Sequence, residues 1–135
     1  MGSEYKPEAK RRMFRESIQK LVNRLDGGVA GMLMGFEGIA VDSYVRDGHG
    51  GHIADIQTIS MEFGHIVGQL RGASDRVELG QVREVTIKTD KLTVVMLLLT
   101  KDYFLACGIL PSGNAGKARY LCRLAAPALR AELLH

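Results

Sequence analysis

Two histidines, His49 and His52, stand three apart in the glycine-rich segment RDGHGGH (46–52), where a pair of imidazoles could share a metal ion. Glycine on both sides leaves them without a supporting shell, so a solvated loop is the competing reading. The segment GNAGKA (113–118) sets backbone N–H groups and a lysine where an anion could rest at a helix start. A nucleotide phosphate loop would need glycine where Pro111 stands and Ser or Thr where Ala118 stands, so this is a capped loop rather than a Walker motif. Cys107 and Cys122 lack CxxC spacing and lie in apolar stretches, which makes them core thiols. His65, beside a row of small residues, reads as a partly exposed interface residue rather than a base. With no GxSxG, HExxH or helix-opening GxGxxG, the chain offers no catalytic set, no metal set and no cofactor motif. Its function is expected in its surfaces.

The periodicity predicts the elements that shape those surfaces. Pro7-Glu8 suits a first helical turn, and Phe14, Ile18, Leu21, Val22 and Leu25 recur at helical spacing until Asp26-Gly27-Gly28 stops them. VAGMLMGF (29–36) and IAVDSYV (39–45) read as two strands joined through Glu37-Gly38. A second helix over about 53–71 carries an apolar stripe of Ile56, Ile59, Phe63, Ile66, Val67 and Leu70, expected to cover a sheet. Beside it Ser60, Gly64, Gly68 and Gly72 recur every four residues. Each helical glycine costs about 1 kcal/mol relative to alanine, so such a row calls for a close approach. The glycines either admit a bulky side chain of the same domain or let a second helix approach across a dimer interface.

REVTIKT (83–89) alternates, with Val85 and Ile87 on one face, and belongs at a sheet edge. LTVVMLLL (92–99) and YFLACGIL (103–110) are almost continuously apolar, as strands covered on both faces are. Asn114 is a candidate N-cap for a third helix reaching about Leu133, with Ala118, Leu121, Cys122, Ala125 and Leu129 inward and a kink at Pro127. The order α-β-β-α-β-β-β-α has no internal repeat.

Composition agrees with one globular domain. The 135 residues are 46% hydrophobic and 24% charged. The net charge of +3 is concentrated: residues 1–15 hold Lys6, Lys10, Arg11, Arg12 and Arg15 against Glu4 and Glu8, leaving residues 16–135 balanced. That distribution argues against a duplex-binding face and marks a basic N-terminal arm, open to membrane-surface attraction, an acidic partner or simple solubility. The longest apolar run, Val94 to Leu99, is too short for a bilayer span, and the charged first fifteen residues do not form a secretory signal, so a cytoplasmic location is expected.

Taken in order, GGVAGMLMGFEGIAVDSY, the helix from Ala54 to Leu70, REVTIKTDKLTVVMLLLTKDYFLACGIL and GNAGKARYLCRLAAPAL resemble the roadblock / dynein light chain (roadblock/LC7) family over about residues 17–133. The resemblance implies a profilin-like α/β (α+β) roadblock fold. It has a five-stranded antiparallel sheet, helix 2 on one face and helices 1 and 3 on the other. It divides the chain into a basic arm (1–15) leading into helix 1 and a single roadblock domain (16–135).

It further implies a homodimer that pairs the strand after helix 2 edge to edge and the second helices side by side, involving Ser60, Gly64, Gly68, Gly72, Arg83, Val85 and Ile87. In bacterial relatives of the Mgl type, such dimers regulate Ras-like GTPases in cell polarity and gliding motility, with recruitment to a cell pole. Carried onto this chain, the partner-binding face is Asp55, Thr58, Met61, Glu62, His65 and Gln69. The expected role is a non-catalytic adaptor that binds another roadblock protein, a polarity factor or the GTPase. A direct GTPase activator is the alternative, although ISMEFGHIVGQL departs from the alanine- and asparagine-rich helix expected of one. A small-molecule sensor is a further alternative, since related folds hold ligands between sheet and helix.

Overall fold

The computed structural model describes residues 7–48 and 55–134. His49 and His52 lie outside them. Three helices and five strands follow in the order α1 (Pro7–Asn23), β1 (Gly28–Gly35), β2 (Ala40–Val45), α2 (Ile56–Arg76), β3 (Glu84–Lys88), β4 (Thr93–Leu98), β5 (Tyr103–Ile109) and α3 (Ala115–Leu133).

The strands form one antiparallel sheet in the order β2-β1-β5-β4-β3. Two-residue alternation divides each apolar strand between two cores. Leu33, Val95, Leu97, Leu105 and Cys107 point to the α1/α3 face and pack with Phe14, Ile18, Val22, Leu121 and Leu129. Met32, Met34, Val94, Met96, Phe104 and Ala106 point to the α2 face with Ile56 and Val67. The predicted layering is therefore the observed one, and the half-polar strand does lie at an edge.

Local chemistry sets the ends of the elements. Gly27 (φ +77°) leaves α1, and Gly38 (φ +92°) closes the β1–β2 turn with its N–H on the Gly35 carbonyl at 2.9 Å. Asn114 caps α3 as expected, its Oδ1 accepting from the Lys117 N–H at 2.9 Å. The basic stretch is not all arm. α1 begins at Pro7, so Lys10, Arg11, Arg12 and Arg15 ride on a helix, and Arg15 donates to the buried Asp42 of β2 at 2.7–2.8 Å.

α2 runs five residues beyond its expected end, through Gly72-Ala73-Ser74-Asp75. The helical hydrogen bonds outweigh the turn propensity of those residues, and the chain leaves only after Val77, with Glu78 at φ +58° and the Ser74 hydroxyl on the Gly80 carbonyl at 2.6 Å.

Candidate interaction face

The face that meets solvent on α2 is fixed by which of its residues go under the helix. Ile56, Ser60, Gly64 and Val67 are the buried ones. At Gly64 an added methyl would lie 2.9 Å from Cζ and 3.0 Å from Cε1 of Phe104, a fully buried ring that also stacks at a tilt on Phe36, centroids 4.9 Å apart. Two members of the small-residue row thus bring the helix down onto its own sheet. Gly68 is exposed and has nothing within 4 Å of an added methyl, while Gly72 faces the Arg76 side chain. The row does not form one outward groove, so Ser60 and Gly64 are not free to line a helix pair.

The apolar stripe also needs dividing. Ile59 and Phe63 are half-buried, whereas Ile66 and Leu70 are 46% and 44% exposed, contrary to the expectation that all six residues cover the sheet. Spaced at i, i+4, i+7 and i+11, Ile59, Phe63, Ile66 and Leu70 form a separate seam along one flank of the helix. The single broad stripe in the sequence merges this seam with the sheet-facing line.

Among the predicted partner-binding residues, Thr58, Met61, Glu62, His65 and Gln69 are all exposed. Asp55 is engaged within the chain as the N-cap of α2, its Oδ1 accepting from the Gln57 N–H at 2.9 Å. Met61 and His65 flank a shallow cavity of about 230 Å³ between α2 and the β1–β2 turn, floored by Gly64 and Phe104. The buried Ser60 hydroxyl on its wall has no hydrogen-bond partner among the described residues.

On the same face of the sheet, Val85 and Ile87 of β3 are half-buried against the α2-side core, and among the described residues β3 pairs on one side alone, with β4. Arg83 is exposed just ahead of β3, its carbonyl accepting from the Leu98 N–H at 2.9 Å. On the opposite face Glu84 takes a two-pronged bond from Arg123 of α3 (Nε–Oε2 3.0 Å, Nη2–Oε1 2.6 Å). The guanidinium holds this carboxyl below its usual range, over the opposing effect of partial burial.

The two thiols are both buried. Both lie in the core between the sheet and α1/α3, and donation of the Cys122 S–H toward Cys107, with burial second, pushes the Cys122 thiol well up, away from nucleophilic character. No cluster of three or more His, Cys, Asp or Glu side chains able to hold a metal occurs among the described residues. No helix there is long and apolar enough to cross a membrane.

A five-stranded antiparallel sheet with one helix on one face and two on the other, in this strand order, is the α/β architecture of a roadblock domain. MglC from Myxococcus xanthus is 37% identical, with 88% of this chain and 98% of that one covered at a TM-score of 0.62. On that identity and coverage, the chain belongs to the roadblock/LC7 family. The fold is also similar to a roadblock/LC7 domain from Streptomyces avermitilis (16% identity, 89% and 97% covered, TM-score 0.76). The gliding protein MglB from Thermus thermophilus is likewise similar in fold (10% identity, 98% and 93% covered, TM-score 0.78). No protein-family model and no curated protein sequence matches the chain.

Proposed function

We propose that this protein is a homodimeric, non-catalytic roadblock adaptor in a bacterial Ras-like GTPase circuit that sets cell polarity or drives gliding motility. It would act by presenting the outer face of α2 to another roadblock protein, a polarity factor or the GTPase itself. The observation that carries the reading is the Ile59-Phe63-Ile66-Leu70 seam, left partly in water on the same face of the sheet as Val85 and Ile87 of the edge strand β3. An apolar helix flank and an open edge are each liabilities in a lone domain, and pairing two copies covers both at once. Likeness to MglC over nearly its whole length supports placing the chain in that circuit. The polar residues Thr58, Glu62, His65 and Gln69 on the outer side of α2 would then form a joint platform with those of the second copy.

Light scattering on the purified chain at micromolar concentration tests the pairing: twice the chain mass is expected, and a monomer overturns the proposal. Mixing the chain with the GTPase and the roadblock proteins of the same cell tests the role. Binding to at least one of them with unchanged phosphate release supports an adaptor. Accelerated release replaces it with a GTPase activator, and binding to none removes both.

A further inference from the structure

Four cations from four separate elements converge at one end of the sheet. Arg71 of α2, Arg83 ahead of β3, Lys101 of the β4–β5 turn and Arg130 of α3 line a cleft of about 370 Å³ that contains a single carboxylate, Asp75. On other parts of the domain, Arg15 and Arg123 have carboxylate partners, Asp42 and Glu84 respectively. None of these four has one within 4.0 Å among the described residues.

Two of them are held in place by the backbone. Arg130 donates through Nε to the Leu99 carbonyl (2.7 Å) and through Nη2 to that of Leu98 (3.2 Å). Arg71 donates to the Lys101 carbonyl (2.9 Å), with its guanidinium 4.4 Å from the centroid of Phe36. Fastening the turn accounts for these two arginines. It does not account for Arg83 and Lys101, which bring two more positive charges to the same cleft although their side chains make no bond there.

We infer that this cleft is a binding site for a multiply charged phosphoryl anion of the pyrophosphate class, free or carried on a nucleotide. Four like charges brought together raise one another's electrostatic cost unless an anion sits among them, and a single carboxylate leaves most of that charge uncompensated. Guanidinium groups already fixed by carbonyls keep N–H donors in a rigid fork, the geometry that suits phosphoryl oxygens, and lose little freedom on binding. Thr100 and Gln81 add uncharged polar groups to a lining that also includes Val82, Leu98 and Leu99.

Calorimetric titration of the full chain at low salt tests the site, using orthophosphate, pyrophosphate, tripolyphosphate and nucleoside di- and triphosphates. Saturable binding is expected, with pyrophosphate about tenfold or more tighter than orthophosphate. Lys101→Gln should weaken it about threefold or more at an unchanged melting temperature, and adding Arg83→Gln should bring the loss to about tenfold or more. A nucleotide that binds no better than pyrophosphate assigns the site to the free anion, and one that binds more tightly assigns it to the nucleotide. Three results overturn the inference: no saturable binding at millimolar ligand, an equal loss in the remote control Lys20→Gln/Lys117→Gln, or preference for a glutamate-rich peptide over pyrophosphate. Oligomeric state measured on the same samples keeps this outcome separate from that of the pairing proposal.

Discussion

Gly64 and Gly68 stand one helical turn apart and face opposite demands. At Gly64 the Phe104 ring occupies the space of a methyl group, so Gly64→Ala must displace a buried aromatic side chain. Overpacking of about 1–3 kcal/mol outweighs the helix-propensity gain of about 1 kcal/mol, and urea denaturation should show net destabilisation. At Gly68 no atom stands in the way, and Gly68→Ala should stabilise the chain by about 1 kcal/mol in the same measurement. The four-residue spacing of small side chains was legible in the sequence; which of them lie under the helix was not, because that depends on the rotation of α2 against Phe104, some forty positions away.

Also at this scale, the Arg123–Glu84 pair gives a pH dependence of known sign. The folded carboxyl is held below its usual range, so the pair stabilises the fold above the ordinary carboxylate range. That contribution disappears as pH falls through the lowered value. Both side chains are partly in water (55% and 26% exposed), so the effect is small and screened by salt. Glu84→Gln should lower the melting temperature slightly near neutrality and leave it unchanged once pH has fallen through the lowered value, so the acid limb of the profile flattens.

Among the elements, α2 carries the most consequence. Ile66→Glu and Leu70→Glu place charges on a flank with 46% and 44% exposure, where the isolated domain should tolerate them. On the pairing proposal they should shift the chain to monomers by light scattering with little change in circular dichroism. A variant that remains a dimer would move the interface elsewhere.

The strand β3 has five residues, so antiparallel self-pairing about its middle sets Thr86 against Thr86, with Val85 of one copy opposite Ile87 of the other. Thr86→Cys should then cross-link two chains under mild oxidation.

The strands and two of the helices were readable from the sequence because alternation and cap residues are local signals. The C-terminal turn of α2 was not, since Gly72, Ala73 and Ser74 resemble a loop until the hydrogen bonds around them are known. The cationic cleft was invisible for a stronger reason: Arg71, Arg83, Lys101 and Arg130 share no motif and meet only when the β4–β5 turn is clasped from α2 and α3.

At the scale of the whole molecule, the two borders of the sheet are unlike. β3 is open. β2 carries Asp42, turned inward, buried and tied to Arg15 of α1, and its pairing with β1 is broken by an irregularity between Leu33 and Met34. An inward charge and a distorted ladder are ways in which natural sheets discourage strangers from adding on. Growth by strand addition therefore has a single permitted direction. On the pairing proposal, two copies that meet along it would present only guarded margins, and assembly would stop at a finite, symmetric object instead of running on into a filament.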